Sequence, residues 1–466
     1  MKRKDERASI SGVTLTLAAV GGVVLIGIVG VSASGFLGSH ITYEQEGGPE
    51  SEVVEEVFEE PIETPPIEES EPEPEIDRGD FAAFYVPTPV PLKGIYMTQC
   101  VVGTPSFRAD LVRFIEETEL NAVVIDVKDY TGGIAFPTDN PAVAPYRSDK
   151  CGARDMRAFV ASLKEKGIYT IARITVFQDP LYATKHPEFA VKRASDPLEV
   201  WRDNKGLNFI DVSAQPFWEY ILEVARESHK LGFDELNFDY VRFPSDGPMH
   251  DVYYPFSKDM SRAEALERFF VYLHAELTDS AQYPRGVEPP VLSADLFGFT
   301  TSNTDDLGIG QVLERALPYF DYLMPMVYPS HYPRGSFGFD NPNNYPYEII
   351  LRSMGDGVRR TIAQTSPVPT LTSERIYETR VIPAVGTTTA TTTERVFTGR
   401  YTKEVYDANV MRPWLQDFNY GGTYDAAAIR AQIRGNEDAG LHSWIFWDPG
   451  NRYTSLRQVV ERVSGE

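Results

Sequence analysis

The run ELNFDYVRFPSDG, Glu235 to Gly247, sets two carboxylates and an amide inside what otherwise reads as a buried strand. Strand side chains alternate between faces, so Glu235, Asn237 and Asp239 share one side while Leu236 and Phe238 share the other. VLSADLFGF has the same parity, with Ser293 and Asp295 set against Leu292, Ala294 and Leu296. In NAVVIDVKDY, Asp126 and Lys128 are expected on one face, opposite Val123, Ile125 and Val127. Arg173 is a further charge in the apolar run YTIARITVF. A buried unpaired charge is costly, so these groups form either internal ion pairs or the lining of a cleft. Arg242 fits both, as the partner of an acid or as a group that orients a substrate.

Paired carboxylates in a cleft suit glycosidic bond cleavage. One acid donates a proton to the leaving oxygen, while the other attacks or stabilises the oxocarbenium-like centre. Their environments must push their pKa values apart. On this reading Asp239 is the nucleophile or charge stabiliser and Asp295 the proton donor, with Glu235 as its rival. Asp126, Lys128, Arg173 and Arg242 are the polar substrate-binding candidates. Sugar rings stack on aromatic faces, and Tyr240, Phe297, Tyr328, Trp444 and Trp447 stand beside strand ends. Trp201, in the insertion after the third strand, is the candidate for an exposed platform.

Eight β-rich runs carry these residues: KGIYMTQ, NAVVIDVKD, YTIARITVF, DELNFDYVRF, VLSADLFGF, DYLMPMVY, MRPWLQDF and LHSWIFWD. Between them lie helical patterns such as FRADLVRFIEETE, MRAFVASLKEKG and PFWEYILEVARESHKLG. Regular alternation of strand and helix implies parallel βαβ units. Eight such units over residues 86–466 predict an α/β fold, a (β/α)8 TIM barrel with insertions, whose active site gathers at the carboxyl ends of the strands. The absence of a glycine-rich loop after the first strand argues against a dinucleotide fold. Two insertions stand out, one over 179–211 and a threonine-rich one after the sixth strand's helix, read as either a β-excursion or a loop.

Ahead of the barrel, residues 1–12 form a basic head with Lys2, Arg3 and Lys4, and residues 13–33 are apolar. About twenty apolar residues suffice to span a bilayer. The basic head stays cytoplasmic, which directs the barrel to the outer side of the cell membrane. Cleavage near VSA, Val31 to Ala33, is the alternative and would release a secreted domain. Residues 34–85 are dominated by glutamate and proline, the composition of a disordered, extended spacer. The net charge is -24, and roughly 15 of those negative charges fall in this acidic segment. Such a balance argues against nucleic acid as a partner, because phosphate demands a basic footprint. Export would place Cys100 and Cys151 where a disulfide is permitted, although spacing leaves their pairing open. No HExxH, GxSxG or CxxC motif is present, and no cofactor or metal is expected. The oligomeric state is not legible.

The motifs VVIDVKDYTG, IARITVFQD, FDYVRFP, MPMVYPSHY, PWLQDF and WIFWDPGNRY, in that order, resemble a bacterial family of glycoside-hydrolase-like domains of unknown function. The likeness covers about Pro91 to Tyr453. It implies a glycosidase-type TIM barrel whose marked positions here are Asp126, Lys128, Asp129, Arg173, Asp239, Arg242 and Asp295, joined more loosely by Tyr328, Gln416 and Trp447. Asp239, Asp295 and Asp417, at the ends of strands four, five and seven, are also similar in placement to the acidic trio of α-amylase-like barrels. An aspartate stands where those barrels carry a glutamate on strand five. The reading is a membrane-anchored glycoside hydrolase acting on an extracellular or cell-envelope carbohydrate. Its alternative is a non-catalytic carbohydrate- or cell-wall-binding barrel.

Overall fold

The computed structural model describes residues 81–463 apart from 83 and 383–391. The basic head, the apolar run 13–33 and nearly all of the acidic segment lie outside the described residues. Among the described residues, no helix is long and apolar enough to cross a membrane. The first described residues already pack on the barrel, with Tyr85 stacked on His229 at 4.4 Å and Phe81 edge-on to it at 5.7 Å. Packed chain therefore begins a few residues before the expected boundary at 86.

All eight expected runs form strands: β1 Lys93–Met97, β2 Ala122–Lys128, β3 Tyr169–Thr175, β4 Glu235–Asp239, β5 Val291–Phe297, β6 Tyr322–Met326, β7 Trp414–Gln416 and β8 Trp444–Trp447. They close into a barrel in the order β1-β8-β7-β6-β5-β4-β3-β2, and every pairing is parallel. The helices between them bury one stripe each. In Gln215–Leu231 the buried positions Phe217, Tyr220, Ile221, Val224, Ser228 and Leu231 recur at helical spacing, and Gly232 closes the helix at φ 113°. Arg262–Thr278 starts where Ser261 accepts a hydrogen bond from the Glu264 N–H at 3.2 Å.

Two apolar layers follow from strand parity. Leu236, Phe238, Leu292, Ala294 and Leu296 face the helices. Tyr96, Val124, Ile171, Met324, Trp414 and Ile445 form a separate cluster inside the barrel. Beneath that cluster, at the amino-terminal end of β4, Glu235 binds Arg412 through both oxygens at 3.0 and 2.9 Å. The Tyr169 hydroxyl donates to Glu235 at 3.1 Å, and Arg412 stacks on Tyr322 at 3.7 Å.

The insertion after β3 carries the helix Pro180–Lys185 and a short strand, Lys192–Arg193, paired antiparallel with Val252–Tyr253 from the loop after β4. Trp201 lies in this seam. It is 0 % exposed and donates through Nε1 to the Pro248 carbonyl at 3.2 Å, so it is a packing element between two loops and not an exposed platform. The threonine-rich insertion is a β-excursion, in which Arg375–Ile382 pairs antiparallel with Thr392–Thr402, and the latter with Thr365–Ser366. Cys100 and Cys151 form a disulfide with their Cα atoms 4.5 Å apart. It ties the loop after β1 to the loop after β2.

Glu235→Gln would strand the Arg412 charge in the barrel floor and is expected to lower the unfolding free energy by about 3–5 kcal/mol in urea denaturation. The double change Glu235→Leu with Arg412→Met should restore most of that loss, because no charge then remains to be desolvated. Equal destabilisation by both would show that the floor depends on packing shape and not on charge.

Candidate active site

At the carboxyl ends of the strands, β2, β3, β4 and β5 bring their inward polar residues onto one side chain. Arg173 Nη1 lies 2.5 Å from Asp126 Oδ1, Nη2 binds Asp239 Oδ2, and Nε lies 3.6 Å from Asp295 Oδ2. Strand register accounts for the convergence. Asp126 pairs with Arg173 across β2 and β3, and Arg173 with Asn237 across β3 and β4, which sets Asp239 one inward position higher. Asn237 pairs in turn with Ser293, and Asp295 is the next inward residue on β5.

Each carboxylate has a distinct environment. Asp126 also accepts a hydrogen bond from the Tyr96 hydroxyl. Burial pushes it up to about 6, against the opposing pull of Arg173. Asp239 accepts from its neighbour's backbone, the Tyr240 N–H at 2.5 Å, in addition to Arg173. Asp295 Oδ1 accepts from Trp414 Nε1 at 2.7 Å and from Asn237 Nδ2 at 3.0 Å. Its other oxygen faces Arg173 Nε at a separation too long for a hydrogen bond. Burial, followed by the charge of Asp239, drives the Asp295 carboxyl well above the usual range. Burial works against the charge of Arg173, but Asp239 and Asp126 more than offset it and hold the guanidinium charged. One guanidinium reaches both Asp239 and Asp295, so these carboxyl groups stand no further apart than the roughly 5–9.5 Å over which glycosidase pairs operate.

Aromatic rings close the site. Trp447, at the end of β8, stacks on Tyr96 at 3.9 Å and 16° and lies 5.1 Å from the Arg173 guanidinium carbon. Tyr328 follows β6, and its hydroxyl is pushed well up by burial and then by the charges of Asp295 and Asp239. Tyr240 adopts φ 52°, a conformation uncommon for a bulky residue, and its ring lies 4.8 Å from Arg242. The Phe297 ring also lies close to Arg242, at 5.0 Å. Gln416 points inward from β7, accepting from Ser330 Oγ at 2.9 Å.

Five expected positions fall elsewhere. Glu235 has the inward parity foreseen for it, but it sits four residues before Asp239, roughly 13 Å down the strand. It is consumed there by Arg412, so it is not a rival proton donor in the mouth. Lys128 faces the helices, because β2 carries an irregularity between Asp126 and Lys128 that pairs Lys128 with outward-facing Ile174. Sealed there, it forms an ion pair with Asp179 at 2.8 Å and donates to the Thr175 carbonyl at 2.6 Å. Asp417 has the parity opposite to Gln416 and accepts from the Leu456 N–H at 3.1 Å, which fastens the carboxy-terminal turn instead of lining the barrel. Trp444 belongs to the outer core and packs edge-on against Phe446 at 5.1 Å. Asp129 braces the turn after β2 by accepting from the Thr131 N–H at 2.9 Å.

Tyr96 and Trp414 are site residues that had not been singled out in the sequence. Both were open to the same parity argument, since Trp414 shares a face with Gln416 in PWLQDF. Among the described residues no group of three His, Cys, Asp or Glu side chains is arranged to hold a metal ion. The space between Asp126, Asp239 and Asp295 belongs to the Arg173 guanidinium.

A family model described as "Putative glycosyl hydrolase domain" matches residues 94–375 and 384–453. No curated protein matches the chain. Among solved structures, a hypothetical protein from Ruminiclostridium thermocellum is 29 % identical, covering 46 % of this chain and 98 % of its own, at a TM-score of 0.37. The PgaB (BpsB) glycoside hydrolase domain from Bordetella bronchiseptica is 14 % identical over 81 % of this chain and 100 % of its own, at 0.49. The Bacillus cereus spore cortex-lytic enzyme SleL is 11 % identical over 79 % and 73 %, at 0.40. All three scores lie below 0.5, and no residue assignment rests on them.

Asp417 is pushed up to about 7 by burial, with a further rise from Asp448. Its folded value thus lies above the unfolded one of about 3.9, so the folded state holds the extra proton and its contribution to stability falls as pH rises from about 4 to 7. Asp417→Asn lacks that proton. Its stability relative to wild type should therefore rise across this window and level off above it, as read by urea denaturation at several pH values. A difference independent of pH would contradict the shift.

Proposed function

The chain belongs to this family of glycosyl hydrolase domains, and from that premise we propose that it cleaves a glycosidic bond with Asp239 and Asp295 as its carboxyl pair. The observation that carries the reading is their asymmetry. Both face the barrel mouth from adjacent strands within reach of one guanidinium, yet Asp239 makes the full ion pair with Arg173 and accepts the Tyr240 N–H, while burial and then the charge of Asp239 raise the Asp295 carboxyl well above its ordinary range. Asp295 is the proton donor to the leaving oxygen, and Asp239 attacks or stabilises the positive centre. Trp414 and Asn237 orient Asp295 by occupying one oxygen, which leaves the other for the proton. Trp447, backed by Tyr96, is the platform for a sugar ring.

The substrate is a carbohydrate of the cell envelope or its surroundings. The basic head and apolar run support a membrane anchor with the barrel outside, or release after cleavage, and the Cys100–Cys151 disulfide fits an oxidising compartment. One observation favours a non-catalytic carbohydrate-binding barrel instead: Asp239 and Asp295 are only 3 % and 1 % exposed, as members of a purely structural ion network would be.

A glycan panel offered to wild type, Asp239→Asn and Asp295→Asn separates the two readings. Wild type is expected to release reducing ends. Asp239→Asn should lose activity below detection with near-native thermal stability, and Asp295→Asn should fall by about 10²–10⁴-fold in kcat. In wild type, kcat/KM is expected to decline on the alkaline side, where Asp295 gives up its proton. Retained glycan binding with no turnover by wild type would select the binding barrel. Full activity in Asp239→Asn would remove the proposed role.

A further inference from the structure

Arg242 is a buried cation that the protein leaves half-satisfied. It is 5 % exposed and forms no salt bridge among the described residues. Only its Nη1 donates, to the Phe243 carbonyl at 3.0 Å and to Ser245 Oγ at 3.3 Å. Of the three carboxylates within its electrostatic reach, two are committed elsewhere. Asp239 is held by Arg173 and the Tyr240 N–H. Asp203 accepts from the Lys205 and Leu207 N–H groups, each at 2.8 Å. Asp246 is half-buried on the following turn and makes no ion pair with it. Burial accordingly pushes the guanidinium below its ordinary value.

Three aromatic rings hold the group in place: Tyr240 at 4.8 Å, Phe297 at 5.0 Å and Phe209 at 5.5 Å from the guanidinium carbon. Ring faces stabilise the charge, but they accept none of the in-plane N–H bonds. The unused donors are Nε and Nη2, which lie along one edge of the guanidinium and form a parallel fork. Unlike Arg173 Nε and Arg412 Nε and Nη2, they are not sealed away without partners. That edge is the geometry that binds a carboxylate bidentately. The same Tyr240 touches both sites, its backbone on Asp239 and its ring on Arg242.

We propose that Arg242 is the receptor for a carboxylate on the substrate, so that the glycan taken by this barrel is an acidic one, built from hexuronic acids or sugars bearing an equivalent carboxyl group. The inference rests on the glycosidase reading for the place of the cleft and adds the chemistry of what enters it. A neutral sugar hydroxyl accepts one bond from such a fork and leaves the charge uncompensated. A carboxylate takes both donors and supplies the missing charge.

The test is equilibrium binding to the full chain carrying Asp239→Asn, in which the proposed hydrolysis is blocked. The probes are α- and β-linked oligouronates, their carboxyl-reduced neutral counterparts, and inorganic phosphate as a non-sugar anion. At least one oligouronate is expected to bind about tenfold or more tightly than its reduced counterpart, and phosphate far more weakly than that oligouronate. Adding Arg242→Met should erase the preference. Arg242→Lys keeps the charge but not the fork, so it should lose most of the preference while retaining wild-type thermal unfolding, which guards against misfolding of the Met variant. No preference for any oligouronate, a preference that survives both substitutions, or phosphate bound as tightly as the oligouronate would each overturn the proposal. The glycosidase reading fails separately. Turnover of neutral glycans alone sinks the acidic-substrate inference and spares catalysis, whereas oligouronate preference without turnover of any glycan does the reverse.

Discussion

The barrel mouth is organised by a single guanidinium. Arg173 stands where three aspartates from three other strands converge, and without it that density of buried carboxyl groups would not be tolerated together. Its two full contacts go to Asp126 and Asp239, and its long one to Asp295. Asp295, which holds only the long contact, is also the carboxyl that burial and the charge of Asp239 raise well above the ordinary range. Removing Arg173 would therefore take the shared cation from all three aspartates at once, not only weaken one contact.

A second pair, Glu235 with Arg412, closes the opposite end of the barrel. The two networks lie at opposite ends of β4, with Met324 of the apolar interior cluster against Asn237 between them. One strand therefore serves stability at its first residue and the candidate chemistry at its last. The loops above are stitched to one another in the same manner. Tyr453 and Asn451 after β8 bind the backbone of Tyr96, and the seam of Lys192–Arg193 with Val252–Tyr253 couples the loops after β3 and β4.

Much of this was legible in the sequence because a barrel strand alternates strictly. Parity alone placed Asp239, Asp295, Asn237, Asp126 and Arg173 inside, and the eight apolar runs gave the closed barrel. The rule failed where its premise failed. One irregularity in β2 carried Lys128 to the helix side; Asp417, placed by resemblance and not by parity, lies on the face opposite to Trp414 and Gln416, as alternation requires. Parity also says nothing about height along a strand, which is why Glu235 looked interchangeable with Asp295. Trp201 was misplaced for another reason, since pairing between insertions depends on contacts far apart in sequence. The pairing of Cys100 with Cys151 was open for the same cause.

Asp295 stands at the centre of this account, its carboxyl raised well above the ordinary aspartate range by burial and then by the charge of Asp239. The most direct measurement is the titration of the Asp295 side-chain carboxyl by ¹³C NMR, assigned by comparison with Asp295→Asn. The resonance is expected to retain its protonated position well beyond the roughly pH 4 midpoint of ordinary aspartates. Ionisation of Asp295 together with those ordinary aspartates would contradict the account, because Asp295 would then have no proton to give a leaving group.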